Sequence, residues 1–332
     1  MSTLATGGGP YFDELSVGQT FDNAPAVTLT AGLASAHQAI LGDRMRLPLD
    51  TDLSEKVAGG PVAHAGLVTD IAIGQSTLVT HHVKANLFYR GLRFHRFPYI
   101  GDTLHTTTEV VGLKENSARD GRKPTGLVAL RMSTVDQDGN IVLDFHRCAM
   151  LPLSEDPDDN RVLHADALSS IGVSPEPWWD APDGWNLAHY RSRVPGGHFD
   201  SSLAGAVVRT SGDVVSSAPE LARLSLNIAA THHDERVNRS GRLVYGGHTI
   251  GLALSQACRA LPNLVTVLGW HSCDHTGPVH EGDTVFSDLH VDSAEPLSGG
   301  GGVLSLRSLV YAHRSGSDPA PVLDWRFTVL MA

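Results

Sequence analysis

One stretch of this chain occurs twice, and the repeat constrains the fold more than any other feature. Residues 243–257 run from an apolar strand end through Gly246-Gly247 into a helix with a long apolar face. Residues 62–75 do the same, with Gly66 standing where Gly247 stands and Gln75 where Gln256 stands, each 181 residues earlier. Gly101-Asp102-Thr103 returns as Gly282-Asp283-Thr284 at the same spacing, and Val142-Leu143-Asp144-Phe145 returns as Val322-Leu323-Asp324-Trp325 at 180. Near the start, Phe12-Asp13 and Gly18 match Phe199-Asp200 and Gly205 at 187. Chance likeness among glycine turns does not give ordered matches at a near-constant offset, and a period this long belongs to whole domains.

At 332 residues with 41% hydrophobic content, the chain can form two cores of about 150 residues each. The landmarks divide it into a glycine-rich, disordered start (1–10), a first domain (11–152), a linker (153–197) and a second domain (198–332). In the first domain Val27-Thr28-Leu29-Thr30 reads as a short strand leading into a helix over 31–41, ended by Gly42-Asp43. Residues 44–60, polar and broken by Pro48, read as an irregular excursion before a central helix over 65–79. Strands are expected over 83–89, 103–111, 126–135 and 141–151, with Asp138-Gly139 as a hairpin turn. The second domain repeats the scheme with a helix over 246–261 and strands over 265–270, 284–291, 302–312 and 322–330. One helix followed by antiparallel strands rich in β-branched residues defines an α+β fold. Trp178, Trp179 and Trp185 in the linker imply that part of it lies against a domain surface, since a fully solvated segment seldom carries them.

Charge and cysteine usage exclude several function classes. A formal charge of -11 with no Lys/Arg run argues against a general nucleic-acid binder, because phosphate contacts need a basic surface. Cys148, Cys258 and Cys273 are odd in number and form no C-x-x-C pair, which points away from a disulfide framework or zinc site and toward a reducing, cytoplasmic setting. No apolar run approaches the ~20 residues of a membrane span, and residues 1–10 lack the apolar core and basic flank of a signal peptide.

The segment Asn227-Ile228-Ala229-Ala230-Thr231-His232-His233-Asp234 places a histidine five residues after an amide and two before a carboxylate. Gly241-Arg242-Leu243-Val244-Tyr245-Gly246-Gly247-His248 then leads through a basic residue into the second central helix. On a duplicated helix-then-sheet scheme, this pattern resembles the tandem (double) hot-dog fold of MaoC-like hydratases and dehydratases acting on coenzyme A thioesters. That family's motif is an Asp, a His five residues later, often an Asp two beyond, a short basic stretch and a Val-x-Gly turn. Residues 242–248 and the tail Val322-Leu323-Asp324-Trp325-Arg326-Phe327-Thr328-Val329-Leu330-Met331 look most like the mesaconyl-CoA hydratase (methylmalyl-CoA dehydratase) branch. The resemblance covers nearly the whole chain and departs at Asn227, where the family has Asp. In the first half Gly42-Asp43 keeps the aspartate, but Pro48 stands five residues on. With no basic partner for Asp43, that half is expected to bind and the second to catalyse. The resemblance implies a short or branched 2-enoyl-CoA substrate, with coenzyme A as part of the substrate and no other cofactor. It allows a homodimer without requiring one.

Adding water to a 2-enoyl thioester needs a base for the water, a proton for C2 and donors for the thioester oxygen. His232 suits the first two tasks because imidazole titrates near neutrality. Asn227 can aim the water but cannot accept its proton. Gly246 and Gly247 sit where a helix N-terminus offers free N–H groups to a developing enolate oxygen; a plain helix start is the competing explanation. Asp234 is either a second carboxylate of the site or a solvated loop residue. Arg90, Arg93, Arg96, Arg122 and Lys123 are candidates for coenzyme A phosphates or ordinary surface charge. Among the 18 histidines, His81, His82, His233, His248, His271 and His275 are read as structural, and the cluster from His271 to His275 lacks the spacing of a metal site. Two other activities compete: a hot-dog acyl-CoA thioesterase, and a non-catalytic acyl-CoA-binding protein in which Asn227 marks a decayed site. The Asn-x4-His spacing ahead of the helix favours the hydratase.

Overall fold

The computed structural model describes residues 8–117, 121, 123–158, 161–173, 179–237 and 241–332. Most of the start read as disordered, together with Arg122 and Trp178, lies outside them. The first half comprises β1 (Thr20–Phe21), β2 (Val27–Thr28), α1 (Ala31–Leu41), α2 (Arg46–Leu49), α3 (Thr51–Ala58), α4 (Ala65–Gln75), β3 (Ala85–Phe94), β4 (Thr103–Glu115), β5 (Thr125–Val135) and β6 (Ile141–Pro152). After α5 (Leu187–Arg193) the second half follows with β7 (Val207–Arg209), β8 (Asp213–Val214), α6 (Ala218–Leu224), α7 (Gly246–Ala260), β9 (Leu264–His275), β10 (Thr284–Pro296), β11 (Gly302–His313) and β12 (Ala320–Met331).

The strands form one antiparallel sheet in the order β1-β4-β5-β6-β3-β9-β12-β11-β10-β7, with β2 added to β4 and β8 to β10. The halves meet at β3 and β9, and the register there is two-fold symmetric. Phe88 pairs with Asp274 and Arg93 with Gly269; the 181-residue offset carries Phe88 onto Gly269 and Arg93 onto Asp274. The sequence repeat is therefore a symmetry of the hydrogen bonding.

Each half wraps its sheet round one central helix. Nearly every residue of α4 and α7 is buried, and both helices join a single apolar core. Fully burying Leu67, Val68 and Ile71 contributes roughly 1.5–3 kcal/mol each. The repeated glutamines fasten helix to sheet. Gln75 donates to Leu104 O and accepts from Thr106 Oγ1; 181 residues on, Gln256 donates to Val285 O and accepts from Ser287 Oγ. Buried amides survive in such cores only when satisfied in this way.

The expected helix over 31–41 forms, with Thr30 accepting from Leu33 N and Gly42 closing it at φ 65°. Residues 44–60 are not irregular: they hold α2 and α3, and α3 is capped by Asp50 and ended by Gly59 at φ 81°. The expected central helix over 65–79 stops at Gln75 and continues as a 3-10 turn, Ser76–Leu78. In the segment between the halves, Trp179, Trp185, Leu187 and Tyr190 pack on a second apolar cluster with Leu47, Leu53 and Val57 of α2 and α3 and Val265, Leu268 and Leu330 of β9 and β12.

Candidate active site

A cavity of about 370 Å³ lies between the halves, within the size range of small-ligand sites. The first half lines it with Thr77, Thr80, Tyr89 and Arg147, and the second with Asn227, His232, Gly246 and His275. The loop that carries Asn227 is held by the other half's helix. At Gly74 of α4 a Cβ would overlap the carbonyl of Ser225, so glycine there lets the loop lie against the helix backbone. Thr77 Oγ1 accepts from Ile228 N at 3.0 Å, and Ala230 N donates to His81 O at 3.0 Å. Leu226 takes the left-handed φ of 61° that turns the chain into Asn227.

Asn227 is 3% exposed, and its side-chain oxygen accepts from Ala229 N at 3.0 Å. The amide NH2 is left as the end available to a ligand. His232 sits on the 3-10 turn Ala230–His232, and its Nδ1 donates to Leu243 O at 2.9 Å. This bond fixes the tautomer and leaves Nε2 with its lone pair. Burial, opposed by that carbonyl, pushes the His232 pKa down to about 4, so the ring is neutral at pH 7 and competent to take a proton.

Helix α7 begins at Gly246 without a side-chain cap, and His248 N turns back to Tyr245 O. Gly246 lines the cavity, and a Cβ there would stand 2.6 Å from His275 Cε1. Gly247 is one step behind: a Cβ on it would overlap Asp70 Oδ1 and the Tyr245 ring, and it lines a separate small pocket. The matching start of α4 is different. There His64 Nδ1 accepts from Gly66 N at 3.1 Å, so the first half has already occupied the amide equivalent to that of Gly247.

Two sequence expectations, for Asp43 and His275, need correction, and the residues left with open alternatives find their places. Asp43 does have a basic partner, because His64 Nε2 lies 3.1 Å from its Oδ1. Burial pushes the Asp43 carboxyl up, but His64 and the Met45 amide outweigh it and hold the group below the usual carboxylate range. Asp234 is not part of the cavity: it forms a bidentate pair with Arg236 at the surface, and those hydrogen bonds lower its pKa. His275 is not a bystander, since it lines the cavity with Nε2 unpartnered and burial lowers its pKa to about 4. Of the cations considered for coenzyme A, Arg90 pairs with Asp274, Arg93 with Asp180, Arg96 with Asp136 and Lys123 with Glu155. Arg147, Tyr89 and Tyr245 were not singled out by sequence at all. Tyr245 donates to Asp70 Oδ1 at 3.0 Å, and Asp70 Oδ2 meets His37 Nε2 at 3.1 Å, which forms a buried polar link between α1, α4 and the start of α7.

Comparison with known proteins places this geometry among related folds. No protein-family model matches the chain. It is 30% identical to the β-methylmalyl-CoA dehydratase of Chloroflexus aurantiacus over 98% of both chains. To the mesaconyl-CoA hydratase of Cereibacter sphaeroides it is 26% identical, over 95% of this chain and 92% of that one. A conserved hypothetical protein of Mycobacterium tuberculosis, described as having a double hot-dog fold and as essential for bacterial survival during infection, is 61% identical with a TM-score of 0.93, over 98% of this chain and 99% of that one. A MaoC-domain dehydratase structure from Chloroflexus aurantiacus is 29% identical with a TM-score of 0.80, over 99% of each chain. Among the described residues no helix is long and apolar enough to cross a membrane.

Proposed function

Since the chain belongs to the MaoC-like double hot-dog hydratases and dehydratases, a family of hydro-lyases, we propose that it reversibly adds water to a short or branched 2-enoyl-CoA, with a mesaconyl-like acyl group as the best candidate. The observation that carries this reading is the convergence of His232 Nε2, the Asn227 amide and the start of α7 on one cavity. In hydration, the Asn227 NH2 aims a water and His232 Nε2 takes its proton as the oxygen bonds to C3. The double-bond electrons move into the thioester, where the N–H groups at the start of α7 meet the enolate oxygen. The imidazolium then returns its proton to C2, and dehydration is the reverse. The first half supplies binding surface through Tyr89 and Arg147 and the second supplies the reacting groups. The names of the two relatives, a methylmalyl-CoA dehydratase and a mesaconyl-CoA hydratase, support a branched dicarboxylic acyl group.

The test is to incubate the purified protein with enoyl-CoA and saturated acyl-CoA thioesters while recording enone absorbance and free thiol separately. Loss of enone absorbance without thiol release is expected. Thiol release from saturated thioesters would make the protein a thioesterase, and binding with neither signal would make it a non-catalytic binder.

A further inference from the structure

Arg147 is a buried cation that the fold does not require. It is 3% exposed on β6, and its guanidinium donates to the hydroxyls of Ser76 and Thr80 while Nε has no partner. Among the described residues no carboxylate lies within ion-pairing distance of it; the ionisable groups that act on it are the Tyr89 and Tyr245 phenols and the Cys148 thiol. All three are pushed up by burial, Cys148 to about 11, so all are neutral at pH 7 and none balances the charge. The repeat provides an internal control. Val142-Leu143-Asp144-Phe145 matches Val322-Leu323-Asp324-Trp325 at 180 residues, which sets Phe327 where Arg147 stands. Phe327 is 2% exposed and stacks on Trp325 at 3.6 Å between ring centroids, so the same strand position packs well with an apolar ring. A buried charge without a counter-charge is destabilising, and this one lines the cavity that holds His232 and Asn227.

We propose that Arg147 selects the substrate by pairing with a free carboxylate on the acyl group, so that the preferred thioesters are dicarboxylic. This rests on the hydratase reading above and names the residue that sets its substrate class. The carboxylate supplies the missing counter-charge, and the planar guanidinium offers it paired N–H donors.

The experiment measures dissociation constants by calorimetry for carba(dethia) analogues of succinyl-CoA and butyryl-CoA, in which a methylene replaces the thioester sulfur. Wild type, Arg147→Met and Arg147→Lys are compared. Wild type is expected to bind the succinyl analogue about 30-fold more tightly or better, Arg147→Met to lose that ratio, and Arg147→Lys to keep part of it. A wild-type ratio near one overturns the proposal, and so does a ratio that survives in a folded Arg147→Met protein. Equal weakening of both ligands in Arg147→Met, with their ratio unchanged, assigns the arginine to the part of the ligand common to both and also overturns it. If the methionine variant does not fold, a wild-type ratio near one still overturns the proposal, and so does a folded Arg147→Lys protein that keeps the full wild-type ratio. Turnover separates this proposal from the hydratase reading: a succinyl preference without hydration of any enoyl-CoA defeats only the reading, and hydration without that preference defeats only the proposal.

Discussion

The two ends of the paired central helices share a backbone scheme and differ in what fills it. On one side Arg147, His275, His232 and Tyr245 surround an open cavity. At the matching positions on the other side stand Phe327, Phe94, Pro48 and His64. Phe94 and Phe327 are buried, and Phe94 stacks on Phe97, which in turn meets Trp185 of the inter-domain segment. The carboxylate of Asp43 is spent on His64, and His64 is spent on the amide of Gly66. The matching groups on that side face one another or have been replaced by a ring, although Asp43 Oδ2 and His64 Nε2 keep no hydrogen bond of their own. The open side shows the reverse, with an uncapped helix start, a histidine lone pair and a cation left without a counter-charge. A working site in this architecture is the place where the polar groups are left unfinished.

The two sides differ most in consequence at His232, which Pro48 matches on the packed side. Replacing it with alanine should lower kcat for enoyl-CoA hydration by about 10³-fold, the scale of a lost acid–base group, while the melting temperature stays within a few degrees. Activity near wild type would remove His232 from the role of base. Next in size, Phe327→Arg copies the cavity side into the packed side, where no ligand can reach the charge; chemical denaturation should show a loss of about 3 kcal/mol or more. A variant as stable as wild type would show that the packed side tolerates the cation as well as the cavity side does.

Asn227 and Asp43 are the matched pair at the helix-to-loop turn, each accepting from the amide two residues on. Asn227→Ala should cost roughly 10²-fold in kcat through lost water positioning, and Asn227→Asp should retain or raise turnover on uncharged enoyl thioesters. If aspartate instead abolishes turnover of dicarboxylic thioesters alone, repulsion between the two carboxylates is the cause. The last effect, about 1.4 kcal/mol at any one step of a pH unit, concerns acid stability. His275 has a folded pKa of about 4 against an ordinary 6.5, so unfolding takes up a proton between those values and stability falls as pH drops through that window. His275→Phe, which copies Phe94, should reduce the slope of unfolding free energy against pH there by about 1.4 kcal/mol per pH unit. Parallel pH profiles for the two proteins would mean that the ring is solvated in the folded state.

Much of this architecture was legible in the repeat. The 181-residue offset gave the two similar halves and aligned Gln75 with Gln256; the symmetric register of β3 and β9 and the shared fastening role of the glutamines are structural findings that follow from one backbone scheme used twice. Signals for α3 were present in Asp50 and Gly59, but α2 and α3 are short and Pro48 obscured them. His64 went unseen as the partner of Asp43 because the two meet only once α4 has docked. Arg147 and His275 lie on strands, where one polar residue in an alternating pattern looks like surface. Set beside their repeat mates Phe327 and Phe94, both stand out, and that comparison needs no structure.

The symmetric register at the β3–β9 junction has a consequence for how such a site could arise. Two identical chains meeting at that junction would carry the same residue at both equivalent positions. An arginine chosen for one cavity would then be duplicated as a stranded charge wherever no ligand sits. Joined in one chain, the halves were free to drift apart in sequence, so the penalty of several kcal/mol for an unmatched buried cation falls once per molecule, at Arg147, and Phe327 contributes packing in its place.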